Sequence, residues 1–203
     1  TRARSVMISV PVTTPDDLLF FAHHDTMYVT EGANDNTASV IMLIMLAHAS
    51  AGLKLKKTLT FVATTGEEWG YLGTKHLAEV WKANGRLDRI RFVANFDSVT
   101  WGPGLLIMTK DEPLIHLIRA IETDLGLSGK RTVRDQDGLS REAQPFRDAG
   151  LRCMGAVVDS ESEGDRKKRC WHRPDDRPDQ VPPELVETNF LFFRELIRRL
   201  GTV

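Results

Sequence analysis

The sequence predicts an α/β fold in which helices cover both faces of a central sheet. Three observations predict it. Short apolar segments of strand length alternate with segments whose apolar residues recur at helical spacing. Some of the strand segments are apolar without interruption, as strands buried on both faces are. A chain of 203 residues can also bury roughly 70% of its unfolded surface, which is enough for a full α/β core.

The chain begins with two predicted strands. Residues 5–12 are β-branched and apolar with partial alternation, and residues 18–22 form a continuous apolar run. Residues 15–17 carry turn chemistry between them, so the two strands are predicted to form a hairpin. After a polar loop at residues 32–36, residues 37–51 are apolar at every helical phase and predict a buried helix.

The rest of the chain continues the alternation of strands and helices. Further strands are predicted at residues 58–64, 90–96, 105–108 and 152–158. Further helices are predicted at residues 72–84, 113–125 and 184–200. The second of these has Pro113 in its first turn and Gly126 just after its end, which is the usual asymmetry of helix ends.

Composition and charge exclude several classes of protein. The chain is 41% hydrophobic with a formal net charge of −1, which excludes a disordered chain. The longest apolar run, residues 38–51, is interrupted by His48 and is shorter than the roughly 18–20 residues of a membrane-spanning helix. The charge leaves no excess of basic residues to bind a nucleic-acid backbone. Two cysteines, Cys153 and Cys170, do not make a disulfide scaffold, and whether they are bridged or are buried thiols stays open.

Five short polar segments hold nearly all the residues suited to metal or proton chemistry. They read AHHDT at 22–26, GANDNT at 32–37, TGEEWG at 65–70, NFDS at 95–98 and CWHRPDD at 170–176. Each has an ordinary explanation alone: a surface histidine pair, an N-cap, an acidic loop, a turn aspartate and a loop histidine. Most of them follow a predicted strand, however, and strand ends are where α/β sheets place their sites.

Taken together, the five segments have the composition of a metal centre. They contribute six groups: His23, Asp35, Glu67, Glu68, Asp97 and His172. Two imidazoles and three carboxylates, one of them shared, suit a pair of zinc ions and leave one glutamate as a base. Neighbouring side chains of an extended segment point to opposite sides, so either Glu67 or Glu68 can bind a metal while the other handles a proton. The spacing of His23 and Asp25 lets a carboxylate hold the imidazole nitrogen that the metal does not use.

These segments, in this order, resemble the zinc aminopeptidase family with co-catalytic metals, which also includes glutamate carboxypeptidase, the transferrin receptor ectodomain and glutaminyl cyclase. The matching residues are AHHD (22–25), GANDN (32–36), TTGEEWGYLGTKH (64–76), NFD (95–97) and WHRPDD (171–176). The resemblance implies a three-layer α/β/α sandwich with a mixed, mostly parallel sheet of the zinc-exopeptidase type. It also implies that residues 1–203 are a single metallopeptidase catalytic domain, trimmed at its N-terminus, and favours a secreted or cell-envelope location.

The resemblance implies a set of metal ligands for two zinc ions per chain. Asp35 would bridge the two ions. His23 and Asp97 would complete one site, and Glu68 and His172 would complete the other.

The resemblance also implies how a peptide would be hydrolysed. Glu67 would take a proton from a water activated by the two metals and return it to the leaving amine. Asp25 would orient the imidazole of His23. The peptide bond after the bridging aspartate, Asp35–Asn36, would be cis.

One segment departs from the family pattern. GLSREAQPF at residues 138–146 aligns with a family segment that usually reads Ser-Asp-His (or Tyr) before a Phe, with Arg141 in place of Asp and Glu142 in place of His. Because that loop usually shapes the substrate pocket, the departure concerns specificity rather than metals. Three interpretations are open: Arg141 binds a substrate carboxylate, Glu142 binds an α-amine, or the pair faces solvent.

Three functions from different classes are consistent with these residues. The leading hypothesis is a zinc-dependent aminopeptidase that acts on peptide substrates. The alternative is a glutaminyl-cyclase-like acyltransferase with one zinc, because Trp171-His172 followed by Asp175-Asp176 resembles that branch. A receptor-like domain without catalysis is the third, although such relatives have lost ligands that this chain keeps. The oligomeric state is not indicated.

Overall fold

The computed structural model describes residues 4–102, 104–128, 131–134, 141–158 and 170–203. The charged segment at residues 161–169, whose composition predicts a solvated loop, lies outside the described residues, as do residues 138–140 of the departing segment. In the described part of the chain, no helix is both long and apolar enough to cross a bilayer.

Seven strands of the described residues form one sheet, in the order β1-β3-β2-β4-β7-β5-β6. They are β1 (Val6–Val10), β2 (Asp17–His23), β3 (Thr58–Thr64), β4 (Ile90–Asp97), β5 (Leu105–Met108), β6 (Arg131–Arg134) and β7 (Cys153–Val158). β1 is antiparallel to β3 and β5 is antiparallel to β7, whereas the other neighbouring pairs are parallel. The predicted mixed, mostly parallel sheet is therefore confirmed.

Helices cover both faces of this sheet. They are α1 (Ala38–Ser50), α2 (Leu72–Ala83), α3 (Glu112–Asp124), α4 (Gln144–Asp148) and α5 (Pro183–Thr202). Buried side chains of α1, α3 and α5 form one apolar core with the sheet, and those of α2 and α4 form a second core on the opposite face. The three-layer α/β/α sandwich is thus confirmed.

Strand β2 lies in the middle of the fold and is buried at every position. Because successive strand side chains point to opposite faces, Phe20 stacks on Phe61 with ring centroids 5.4 Å apart, while Phe21 packs against Phe146 at 5.7 Å. Aromatic pairs of this kind contribute about 0.5–1.5 kcal/mol each beyond their burial. The strand is held firmly from both sides, and so is His23 at its end.

The predicted hairpin between the first two strands is wrong. β1 pairs antiparallel with β3, with Val6 opposite Ala63, and β3 lies between β1 and β2. β2 is apolar throughout and gains most from two buried neighbours, β3 and β4, whereas the largely exposed β1 suits the sheet edge. The turn residues at 15–17 lie between β1 and the start of β2, at Asp17, but they do not determine which strand pairs with β1.

Candidate metal centre

The polar segments meet above the carboxyl ends of the three parallel strands β3, β2 and β4. His23 is the last residue of β2, Asp97 is the last residue of β4, and Glu67 and Glu68 follow β3. A cleft of about 420 Å³ opens over these strand ends. Asp35 and the loop that carries Glu67 and Glu68 form part of its walls. The edge where the parallel strands end therefore carries the site, as the sheet type predicts.

Two groups of side chains in the described residues could each hold a metal ion. One consists of His23, Asp35 and Asp97, the other of Asp35, Glu68 and His172, and in each group the ligand atoms lie within 4.8 Å of one another. The two groups share Asp35, which is buried. The five side chains predicted as ligands are therefore brought together in the grouping that the resemblance implied.

The two oxygens of Asp35 face different imidazoles. Asp35 Oδ1 lies 3.3 Å from His23 Nε2, and Asp35 Oδ2 lies 3.4 Å from His172 Nε2. His23 Nε2 is also 3.8 Å from Asp97 Oδ1, and His172 Nε2 is 3.2 Å from Glu68 Oε2. A carboxylate that presents one oxygen to each side has the geometry of a ligand shared by two cations.

The donor atoms suit zinc, which is bound in proteins by imidazole nitrogen and carboxylate oxygen. Glu68 supports this fit, because its Oε1 is buried and has no hydrogen-bond partner among the described residues. A buried carboxylate oxygen without a partner is costly unless a cation neutralises it. The residues present therefore fit a metal centre.

The carboxylates control the protonation of the two imidazoles. Burial lowers the pKa of His23, but hydrogen bonds to Asp35 and Asp97 outweigh burial and raise it to about 12. The pKa of His172 is also raised, mainly by its hydrogen bond to Asp35. Burial opposes ionisation of Asp35, yet the two imidazoles hold its pKa below the usual range. A cation entering the site must displace protons from both imidazoles, so metal binding is favoured as pH rises.

Asp25 acts differently from its predicted role. The Nδ1–H of His23 donates to the backbone carbonyl of Asp25 at 3.0 Å, whereas the nearer carboxylate oxygen is 3.9 Å from Nδ1. The carboxylate instead accepts the backbone N–H groups of Glu67 and Glu68, each at 3.2 Å. The carbonyl leaves His23 Nε2 free to face Asp35, and the carboxylate fixes the loop that carries both glutamates. Asp25 therefore contacts His23 through its backbone carbonyl, and its carboxylate holds the loop of the two glutamates.

Glu67 is half-buried in the cleft wall and is placed to exchange protons. Burial raises its pKa to about 8, with a lowering contribution from His23 and raising contributions from Asp97 and Glu142. A carboxyl group with a pKa shifted towards neutrality by burial and neighbouring charges has the properties expected of a general base.

Residues 5–197 match the model of a protein family described as peptidase family M28. The chain belongs to peptidase family M28.

Two curated relatives show both the likeness and its limits. Aminopeptidase YwaD of Bacillus subtilis is 24% identical over 177 residues, covering 85% of this chain and 38% of that protein. The probable leucine aminopeptidase 2 of Aspergillus oryzae is 29% identical over 89 residues, covering 44% of this chain and 18% of that protein. This M28 chain therefore spans well under half the length of the curated relatives it matches.

Solved structures share the fold of this M28 chain. A zinc aminopeptidase from Bacillus subtilis superimposes with a TM-score of 0.85 at 20% identity, covering 98% of this chain and 50% of that one. The glutaminyl cyclase of an Acidobacteriales bacterium gives a TM-score of 0.80 at 20% identity, covering 97% of this chain and 73% of that one. At this level of identity, these likenesses establish the fold.

The two departing residues of this M28 chain have opposite environments. Arg141 is exposed, whereas Glu142 is only 3% exposed. Burial raises the pKa of Glu142 to about 7, and each of its carboxylate oxygens already accepts a hydrogen bond inside the protein. The interpretation of a solvent-facing pair is therefore wrong for Glu142.

Asp176 links two of the ligand-bearing loops, a contact that the sequence did not predict. It is fully buried and accepts hydrogen bonds from the backbone N–H of Asn34 at 2.8 Å, from the Asn34 side chain at 3.0 Å and from the backbone N–H of Asp35 at 3.0 Å. Asp176 thereby joins the loop of His172, whose backbone is left-handed with φ 55°, to the loop of Asp35. The Asp35–Asn36 peptide bond in the second loop is cis, as the resemblance implied.

Replacing Asp176 with Asn should weaken zinc binding about 10–100-fold, because partners that orient metal ligands typically contribute that much. The new amide would turn a donor towards backbone N–H groups, and an unsatisfied buried group of this kind costs about 1–3 kcal/mol of stability. Competition with a chromophoric chelator measures the zinc affinity, and thermal unfolding measures the stability. Exposed Asp175→Asn is the matched control. Zinc binding by Asp176→Asn at the wild-type affinity would contradict the assigned role.

The sequence does not show whether the two cysteines form a disulfide. Cys153 and Cys170 are thiols in the structure and are not joined by a disulfide. Burial raises the pKa of Cys153 to about 12, so this thiol stays protonated at neutral pH.

Proposed function

We propose that this chain is the catalytic part of a zinc-dependent aminopeptidase that hydrolyses the N-terminal residue of peptides, with two zinc ions per chain. The observation that carries the proposal is the pair of ligand groups sharing Asp35, with Glu67 beside them in one cleft. The M28 family, the aminopeptidase names of the relatives and the solved zinc aminopeptidase of the same fold support it. We also propose that residues 1–203 act as one catalytic domain.

Five residues would hold the zinc ions. His23 and Asp97 would hold one ion, Glu68 and His172 would hold the other, and Asp35 would contact both. Bound zinc supplies a Lewis acid that polarises the peptide carbonyl and makes water more acidic.

Glu67 would move the proton of the reaction. Its carboxylate takes a proton from the attacking water and later delivers it to the nitrogen of the leaving peptide. Burial and neighbouring carboxylates raise the pKa of Glu67 to about 8. Cations bound nearby lower a carboxyl pKa, so bound zinc would bring the pKa of Glu67 down towards neutral pH. The backbone hydrogen bonds from Glu67 and Glu68 to Asp25 keep the base in place while the proton is transferred.

The walls of the cleft favour this chemistry. Leu106, Val157 and Val158 are apolar residues that line the same cleft as the acidic loop. Excluding water strengthens the electrostatic interactions inside such a site. Arg141 stays a proposed contact for a peptide carboxylate, because it is exposed at the start of the turn that carries Glu142.

The test is hydrolysis of matched peptides that differ only in a free or an acetylated N-terminus, with the zinc-loaded protein. We expect release of the N-terminal residue from the free peptides alone. Release of C-terminal residues, or equal cleavage of acetylated peptides, would contradict an aminopeptidase. Conversion of N-terminal glutamine to a ring without hydrolysis would favour the cyclase alternative, which uses the fold shared with the solved glutaminyl cyclase.

A further inference from the structure

The buried carboxyl group of Glu142 makes contacts that the proposed mechanism does not use. Its Oε1 accepts a hydrogen bond from Thr64 Oγ1 at 2.5 Å, and its Oε2 accepts one from Asn95 Nδ2 at 2.8 Å. Thr64 ends β3 and Asn95 belongs to β4. These strands are not neighbours, because β2 lies between them. One side chain therefore joins two strands across a third.

The strand register places this link on the face of the sheet from which His23 projects. Thr64 is paired with His23, and Asn95 is paired with Phe21. Side chains of paired residues point to the same face, and so do Phe21 and His23, which are two residues apart on β2. Glu142 thus spans the carboxyl end of β2 on the side of the His23 imidazole.

The two linked strands lead directly into the metal centre. Asn95 is two residues before Asp97, and Thr64 is three residues before Glu67. When Glu142 is ionised, its charge also acts electrostatically on His23 and Glu67. Any change in the spacing of β3 and β4 would therefore reach Glu67 on one side of β2 and the ligand Asp97 on the other.

We propose that Glu142 is a positioning residue whose two hydrogen bonds hold the ends of β3 and β4 around β2, and thereby fix His23 and Asp97 for metal binding. This inference rests on the proposed function for the identity of the ligands. It assigns no contact between Glu142 and the substrate.

The test compares four proteins: wild type, Glu142→Ala, Glu142→Gln and Glu122→Ala. Zinc affinity is measured by competition with a chromophoric chelator, and kcat and KM are measured separately with a free peptide. In Glu142→Ala we expect zinc affinity to fall about 10–100-fold and kcat to fall with little change in KM. Glu142→Gln should recover most of this loss, because an amide can accept from Asn95 and donate to the Thr64 hydroxyl.

Glu122→Ala is the control for loss of a buried glutamate. Glu122 is 1% exposed and lies in α3, away from the cleft. We expect its zinc affinity and kcat to match those of the wild type even where its melting temperature falls. A merely structural role of Glu142 would give the same pattern in Glu142→Ala, and that result would overturn the proposal.

Two further outcomes also decide the matter. A Glu142→Gln protein as impaired as Glu142→Ala would overturn the proposal, because the hydrogen bonds would then not be what matters. If Glu142→Ala fails to fold, Thr64→Val serves instead, because it removes one of the two hydrogen bonds with little change of side-chain shape. A wild-type zinc affinity in Thr64→Val would also overturn the proposal. Zinc affinity needs no peptide hydrolysis, so an inactive wild type would refute the aminopeptidase and leave this test decisive.

Discussion

Replacing Glu67 with Gln is expected to lower kcat for peptide hydrolysis about 10²–10⁴-fold, the usual contribution of a positioned general base. The amide keeps the size of the side chain and leaves the backbone hydrogen bond from Glu67 to Asp25 in place. It cannot accept the proton of the attacking water. Zinc content should stay at the wild-type value, because Glu67 belongs to neither ligand group.

The matched control for this substitution is Glu79→Gln. Glu79 is exposed in α2, the helix that follows the loop of Glu67. Steady-state kinetics and zinc content are measured on both variants. An unchanged kcat in Glu67→Gln would remove Glu67 from the mechanism, whereas loss of zinc would show that it acts as a ligand.

Replacing Asp35 with Asn should disrupt both ligand groups at once. Each oxygen of Asp35 faces a different imidazole, and the substitution turns one of these oxygens into an NH₂ group that cannot bind a cation. Changing a residue that only orients a metal ligand typically lowers metal affinity about 10–100-fold. Loss of the shared ligand itself should therefore lower the affinity for at least one ion by more than this. Activity should fall with it.

Exposed Asp88→Asn provides the comparison for the Asp35 variant. Isothermal titration with zinc, performed on metal-stripped proteins, gives the number of ions and their affinities. Two ions bound by Asp35→Asn with wild-type affinities would contradict a shared ligand.

The fold was largely predictable because most of its strands carry local signals. Residues 58–64 are rich in threonine and apolar residues, and residues 105–108 are all apolar. The structure has strands over those same residues. β6 was missed because RTVR has no apolar run, and α4 was missed because it is only five residues long. The pairing of β1 with β3 rather than β2 depends on burial across the whole sheet, which no local pattern reports.

The candidate site was predictable for a related reason. Three of its ligand candidates, His23, Glu68 and Asp97, lie at or just after the ends of parallel strands, which places them at one edge of the sheet. The supporting contacts were not predictable, because they join residues far apart in the chain. Asp176 reaches Asn34 across 142 positions, and Glu142 reaches Thr64 across 78. His23 is held by the backbone carbonyl of Asp25 and not by its carboxylate. The spacing of the two residues in the sequence does not determine which of these oxygens contacts the imidazole.

The most direct test of a two-metal aminopeptidase is to titrate the metal-stripped protein with zinc while following hydrolysis of a free peptide. Two ligand groups joined by Asp35 predict that two equivalents of zinc bind per chain and that activity reaches its maximum only as the second site fills. Saturation of both binding and activity at one equivalent would contradict the shared-ligand centre.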